Sequence, residues 1–573
     1  MATAAKSHLV EWSTLSGFRV GDWETWVAHC QKRQKPASLE RVCNGARPLL
    51  WGLPNSILAE NKKTLRRLAD LHAGMSAVSK KDAEFLQQLP DAFGTKEPSL
   101  YALVLANGVA GAMPALTEVV TEEAWCQALN TIYQIALDVL GNPDRLLGQL
   151  ANEILITIAY QFPELNHSQD IWETSLEYWT TSLQEMLDSD GAVQAAYCKL
   201  LPLLLATWIR VHQLSPVSAL GEEIELTQIW EWFLRYNLRL LRRDGTSMLA
   251  EPGIPYCLEL YQAAVSTSTD KQDRVIARQV LPGGNPKRKK PKDISEEGVF
   301  SEWAGLGVLQ QDWSARSPRL AVAVQGESMQ IEICRGIELL KLEGFPDVSI
   351  NGKRLQPSGS WEEVATHFDE DINYLELEML FTDQVRVQRQ ILLLQDDEVI
   401  MVADSVFAES KERIDYQNQL QLGPAVSGLQ ETENNEIYLQ QKKICALLLP
   451  LGLSEWKSQR FDNCFLAAQG SVKLCQSVYG KTLYAPLMIN VNPKESIKPR
   501  TWRSLTVAEK LEIVEHDTAR SYRVRIGNRQ WIIYKSFAAP GNRTFFGQNK
   551  NGDFFIGRME EDGNVEELLS LEL

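Results

Sequence analysis

The sequence predicts a multidomain α+β chain: an N-terminal α/α toroid followed by a C-terminal antiparallel β-sandwich. Three observations carry this. Apolar residues recur at helical spacing through residues 96–282. From about residue 298 the apolar period changes to two. Between them, Pro282-Gly-Gly-Asn-Pro-Lys-Arg-Lys-Lys-Pro-Lys292 has no apolar period and reads as a solvated connection.

Residues 1–95 are mostly helical in pattern, as in Asn61-Lys-Lys-Thr-Leu-Arg-Arg-Leu-Ala-Asp-Leu71. They either complete the toroid or form a separate cap. Within 96–282, Asn142-Pro143-Asp144 opens a helix whose Leu146, Leu147, Leu150, Ile154, Leu155 and Ile158 follow helical spacing. It ends before Gln161-Phe162-Pro163, because proline disfavours helix in the residue before it. The next helix starts near Ser168, a good N-cap. Its Trp172, Leu176, Trp179, Leu183 and Met186 form one stripe, with Glu173, Glu177 and Glu185 mostly elsewhere, as in an amphipathic outer helix. Leu200-Leu-Pro-Leu-Leu-Leu-Ala-Thr-Trp-Ile209 is apolar all round, so it is expected to be buried on all sides. Ile229, Trp230, Trp232, Phe233, Tyr236 and Leu240 make a further aromatic-rich helix. Alternating outer and inner helices are what an α/α toroid requires; a plain helical bundle is the alternative.

After the linker, Met329, Ile331 and Ile333 alternate with Gln330 and Glu332, and Leu375, Leu377 and Met379 with Glu376 and Glu378. Such alternation predicts half-buried antiparallel strands. Turn signals recur at Asn351-Gly352, Asp396-Asp397, Asn551-Gly552 and Asp562-Gly563, and strands such as Arg529-Gln-Trp-Ile-Ile-Tyr534 continue toward the C-terminus. A large β-sandwich packs such strands. The expected division is 1–95, an N-terminal helical region; 96–282, the toroid; 283–297, the basic linker; and 298–573, the sandwich. Lys287 to Lys292 read as an exposed linker, with a nuclear signal or anion patch as the functional alternative.

Composition narrows the function. The chain has 573 residues, 44% apolar and 23% charged, enough to bury large cores without staples. A formal net charge of −16 repels polyanions at long range and argues against general nucleic-acid binding. No signal-peptide pattern opens the chain and no run of eighteen apolar residues exists, so a cytoplasmic protein without a membrane span is expected. The nine cysteines form no CxxC pair and read as reduced, mostly buried thiols. The seven histidines show no metal-ligand spacing, and no phosphate loop, HExxH, GxSxG or strand-borne GxGxxG occurs. No metal or cofactor is therefore expected. His167 reads as a turn and helix-cap residue, His212 as a core or C-terminal histidine, and His367 as part of a solvated acidic turn. Nucleophilic Cys198 or Cys257 shows no histidine partner in sequence.

A helical toroid followed by a large sandwich resembles the heparinase II/III-like polysaccharide lyases. Three stretches carry the resemblance. Leu146-Leu-Gly-Gln-Leu-Ala-Asn-Glu-Ile-Leu-Ile-Thr-Ile-Ala-Tyr-Gln-Phe-Pro-Glu-Leu165 looks like that toroid's inner helix and turn. Asp190-Gly-Ala-Val-Gln-Ala-Ala-Tyr197 looks like the loop that delivers the family's tyrosine. Trp303-Ala-Gly-Leu-Gly-Val-Leu-Gln-Gln-Asp-Trp313 looks like the first sandwich strands. The resemblance implies β-elimination at a uronic acid: a carboxylate is neutralised, a base takes the adjacent proton, and Tyr or His protonates the leaving oxygen. Family members usually take histidines from both domains, and this sequence departs on both counts. Cys198 follows Tyr197 where a histidine would serve, and Arg319 to Gly344 contain no histidine. Gln149 stands where an acid is expected on the preceding helix.

Tyr197 is thus the catalytic candidate, as a lowered-pKa tyrosine able to act as base and acid; an ordinary tyrosine at a helix start is the alternative. The substrate-binding candidates are Gln149, Trp208, Arg242, Arg243 and Asp244. Trp208 and Trp232 offer apolar faces to sugar rings, or else belong to the core. Arg242 and Arg243 meet an anionic sugar at the toroid mouth with Asp244-Gly245 as its loop, or cap a helix C-terminus. Three functional readings follow: a catalytically degenerate member, a pseudoenzyme binding an oligo- or polysaccharide; an active lyase of acidic polysaccharide using Tyr197; or a non-catalytic intracellular interaction protein. The missing histidines favour the first and third.

Overall fold

The computed structural model describes residues 23–32, 47–72, 75–87, 99–142, 144–215, 224–283, 298–457, 463–560 and 563–572. His8, Cys43, Pro143, Asp562 and the basic stretch Lys287 to Lys292 lie outside them. The chain divides into two compact units, Met1–Leu238 with Gly245–Ala277, and Arg239–Asp244 with Arg278–Leu573.

The first unit is helical. Leu100–Leu116, Arg145–Gln161 and Leu201–Leu214 are buried on nearly every face. They alternate along the chain with Glu122–Leu140, Ser168–Met186 and Ile224–Arg239. In the first two of these, buried residues keep to one stripe. This inner–outer alternation is the α/α toroid. Asp144 caps its helix by accepting from the Leu146 and Leu147 amides at 3.0 and 3.4 Å. The following helix departs from the expected cap. His167 occupies the N-cap position in the left-handed region, φ 62°, without a side-chain cap bond. Ser168 is instead the first helical residue, its hydroxyl donating to the Ala159 carbonyl at 3.1 Å.

The buried stripe of Ser168–Met186 is also rotated from the expected one. It runs through Ile171, Ser175, Trp179, Ser182, Leu183 and Met186, leaving Trp172 and Leu176 half-buried. The reason is polar. Gln149 Nε2 donates to Ser182 Oγ at 2.8 Å and Asn152 Nδ2 to the Ser175 backbone carbonyl at 3.1 Å, while the Ser175 hydroxyl is buried with no hydrogen-bond partner among the described residues. Deeper inside, Arg210 and Glu153 form a buried two-pronged ion pair, Nε–Oε1 at 2.5 Å and Nη2–Oε2 at 2.9 Å.

The second unit is antiparallel β: a 16-stranded sheet, a 5-stranded sheet and a 4-stranded sheet. Val399–Leu422 and Ser471–Asn490 are its longest strands, paired throughout except for a register break between Phe407 and Glu412. One core joins Leu320, Val322, Ile331 and Ile333 to Leu375, Leu377, Ile391, Leu393, Ile400 and Val402. A second joins Tyr374, Leu392, Leu394, Met401 and Leu447 to Trp502, Val524, Trp531, Ile533 and Phe554 of the 5-stranded sheet. The strands Ile372–Leu380, Arg386–Leu394 and the start of Val399–Leu422 are therefore covered on both faces. This explains the unbroken apolar runs Ile391–Leu394 and Val399–Ala403.

It also corrects the half-buried reading. Glu376 is 0% exposed. Lys535 Nζ donates to Glu376 Oε1 at 2.8 Å and the Tyr374 hydroxyl to Oε2 at 2.5 Å. Alternation here marks two interiors, one apolar and one holding a charge pair, rather than core against solvent.

Candidate functional site

The structure brings Gln149 and Trp208 together, inside the helical unit. Trp208 Nε1 donates to Gln149 Oε1 at 3.0 Å, and both residues are buried. The Trp208 ring lies against Phe233 and Trp230, with centroids 4.9 and 6.5 Å away. Its aromatic face is thus used in packing. His212 belongs to the same cluster, stacked on Trp230 at 5.1 Å, and burial lowers its pKa to about 4.

Tyr197 lies in the short 3₁₀ turn Ala195–Leu200, half-buried. The preceding loop is tightly built. Asp188 Oδ1 accepts from the Asp190 and Ala192 amides at 2.9 and 2.7 Å. Gly191, at φ 75°, passes so close that a Cβ would lie 2.3 Å from the Phe233 nitrogen. Burial, helped by the Asp144 carboxylate, raises the Tyr197 phenol above its usual value, with the Arg145 guanidinium opposing. That direction is opposite to the lowered value a tyrosine base needs. It leaves Tyr197 protonated near neutrality.

Arg242, Arg243 and Asp244 fall in the short segment that clusters with the β unit. Arg242 Nε and Nη2 hold Glu332 at 2.7 and 2.8 Å, and Nη2 reaches Glu338 at 3.3 Å. The buried Glu332 is thereby neutralised within its own unit. Arg243 and Asp244 are exposed, and the Arg243 amide donates to the Gly336 carbonyl at 3.2 Å.

Sequence reading missed a cavity of about 510 Å³ in the helical unit. Arg47, Lys62 and Arg66 supply cations to it, Trp51 and Tyr256 aromatic surface, and Asn55 an amide. Lys62 and Arg66 share one face of the Asn55–His72 helix through their i, i+4 spacing. Arg47 is anchored by Asp70 at 2.6 Å. The far wall is the 255–259 segment. There Gly245, at φ 86°, lies against the Tyr256 ring, where a Cβ would come within 2.3 Å. The Tyr256 hydroxyl is buried and has no hydrogen-bond partner among the described residues. Burial, then Cys257 and Glu259, push its pKa up to about 12, so it keeps its proton near neutrality and is available to donate it in a hydrogen bond. The Cys257 and Cys198 thiols are both pushed up to about 12, chiefly by burial, so neither is a ready thiolate. The helical spacing of Lys62 and Arg66 was the one readable signal for this cavity.

No family model and no curated protein matches the sequence. Solved structures do match the fold. A mutant of heparan sulfate lyase HepC from Pedobacter heparinus superposes with TM-score 0.57 at 9% identity, covering 90% of this chain and 94% of that one. Heparinase III superposes with TM-score 0.58 at 10% identity, covering 82% of each chain. A further heparinase III gene product gives TM-score 0.53 at 11% identity over 90% of this chain and 86% of that one. The chain therefore has the heparinase-like fold of polysaccharide lyases, a helical toroid with an antiparallel β-sandwich. Among the described residues no helix is long and apolar enough to cross a membrane.

Proposed function

We propose that this protein binds an acidic oligo- or polysaccharide in the helical-unit cavity and does not carry out the standard histidine-assisted β-elimination. One observation carries the reading: three cations against one carboxylate, Glu259, and a buried, unpartnered tyrosine hydroxyl line a cavity without a histidine among its described lining residues. Arginine and lysine meet carboxylate or sulfate groups, Tyr256 donates to a ring oxygen or hydroxyl, and Trp51 and Tyr256 offer apolar surface to a pyranose. Elimination needs in addition a base for the proton beside the carboxylate. Tyr256 and Tyr197 are both shifted toward the protonated form. The fold supports the saccharide class, since two of the solved structures it matches are heparinase III and a heparan sulfate lyase.

Calorimetric titration with a heparan sulfate hexasaccharide tests this. Saturable binding that Lys62→Ala/Arg66→Ala weakens supports the cavity; unchanged binding in that variant rejects it. The second reading, an active lyase working through Tyr197, draws on the adjacent Arg145 guanidinium, which favours the phenolate. It requires growth of the unsaturated-uronate absorbance with acidic polysaccharide, abolished by Tyr197→Phe.

A further inference from the structure

Among the described residues, Trp456 is one of two tryptophans more than half exposed, the other being Trp303 at 53%. Eight tryptophans are among the largest fully buried side chains, whereas Trp456 is 59% exposed. It borders a second cavity of about 510 Å³, wholly within the β unit, beside Arg503, Arg520, His516 and Glu455. The loop presenting it is pinned on several sides. Trp502 Nε1 donates to the Leu453 carbonyl at 3.1 Å, and Ser454 Oγ to the Trp456 carbonyl at 2.7 Å. The Asn435 amide donates to the Glu455 carbonyl at 2.8 Å, and Asn435 Nδ2 to the Ser454 carbonyl at 2.9 Å. An exposed indole on so fixed a backbone is a preformed platform, which keeps the ordering cost of binding low.

The charges around the platform are mainly positive, two guanidiniums against one carboxylate. Arg503 and Arg520 project from neighbouring strands of the 5-stranded sheet, Arg500–Leu505 and Ala519–Ile526. Glu455, the sole carboxylate among the described lining residues, is engaged by Thr501 Oγ1 at 2.7 Å. In a chain of net charge −16, this cavity, like the helical-unit one, has more cations than carboxylates in its lining. A guanidinium fork matches carboxylate or sulfate, and an indole face matches the apolar face of a sugar ring.

We propose that this cavity is a second saccharide site, in which Trp456 stacks on a pyranose while Arg503 and Arg520 hold its carboxylate or sulfate. The site stands on its own geometry and does not depend on the helical-unit cavity. The test uses the full chain carrying Lys62→Ala/Arg66→Ala, titrated calorimetrically with a heparan sulfate hexasaccharide and, separately, with neutral cellohexaose. The hexasaccharide is expected to bind saturably. Trp456→Ala and Arg503→Gln are each expected to weaken it by at least about tenfold, Trp456→Phe is expected to retain it, and cellohexaose is expected to bind at least about tenfold more weakly. Absence of saturable binding in that background overturns this site and leaves the helical-unit proposal standing if wild type binds. Equal titrations for the background, Trp456→Ala and Arg503→Gln also overturn it, as does equal affinity for cellohexaose.

Discussion

Arg210→Met probes how the interior of the toroid holds the cavity wall. Arg210 spans 162 positions to donate from Nη1 to the Pro48 carbonyl at 2.8 Å. Its remaining donors take Glu153 at 2.5 and 2.9 Å and Thr207 Oγ1 at 3.3 Å. Both ends of the ion pair are nearly sealed, at 7% and 5% side-chain exposure. Replacing Arg210 by methionine keeps the stem but strands a buried carboxylate, a loss of about 3–5 kcal/mol. At about 2 °C per kcal/mol for a unit of this size, the melting temperature falls by about 6–10 °C. The double variant Glu153→Met/Arg210→Met removes the stranded charge, so most of that loss returns. Because the Pro48–Leu50 turn leads directly into Leu50 and Trp51 of the cavity wall, saccharide affinity falls in both variants. Scanning calorimetry with hexasaccharide titration measures both effects. A single variant that melts within about 2 °C of wild type would refute the reasoning.

Further outcomes follow from the same structure. Tyr256→Phe removes the buried hydroxyl donor and is expected to weaken hexasaccharide binding by up to about tenfold with little change in melting temperature, read by calorimetry. His212 has a folded pKa of about 4 against an ordinary 6.5, so the unfolded chain takes up its proton first. Stability from this group is complete above pH 6.5 and declines as pH falls toward 4, by about 3 kcal/mol, and His212→Phe should flatten that part of a pH–denaturation profile. Lys535→Ala strands Glu376 inside the β unit and should cost about 3 kcal/mol in chemical denaturation, relieved in part by Glu376→Gln. Arg242→Ala should lower β-unit stability through Glu332 while hexasaccharide affinity stays unchanged; a matching loss of affinity would restore Arg242 as a saccharide contact.

The order of the architecture was legible because each half repeats its own period. Helical spacing around Leu146 to Ile158 and the all-apolar run around Trp208 placed an inner layer correctly. Trp208 reads in sequence as a substrate-binding candidate with core as the alternative; the structure buries it, and its bond to Gln149 shows where that pair's polarity is satisfied. The serines at 175 and 182 misled, because a buried serine looks like a solvent position; the Ser182 hydroxyl meets the Gln149 amide, whereas Asn152 takes only the Ser175 backbone carbonyl. Glu376 misled for a related reason, since its partner Lys535 lies 159 positions away. The cavity around Tyr256 was hidden in the same manner. Its cations come from residues 47–66 and its tyrosine from position 256, and no local pattern links them.

The central claim, acidic saccharide binding without histidine-assisted elimination, is tested most directly in one cuvette. Heparan sulfate is mixed with the protein and followed at the unsaturated-uronate absorbance, with binding measured in parallel by calorimetry. The account predicts saturable heat, weakened by Lys62→Ala/Arg66→Ala, and a flat absorbance trace. Growth of that absorbance, lost in Tyr197→Phe, would contradict it, as would the absence of any binding heat.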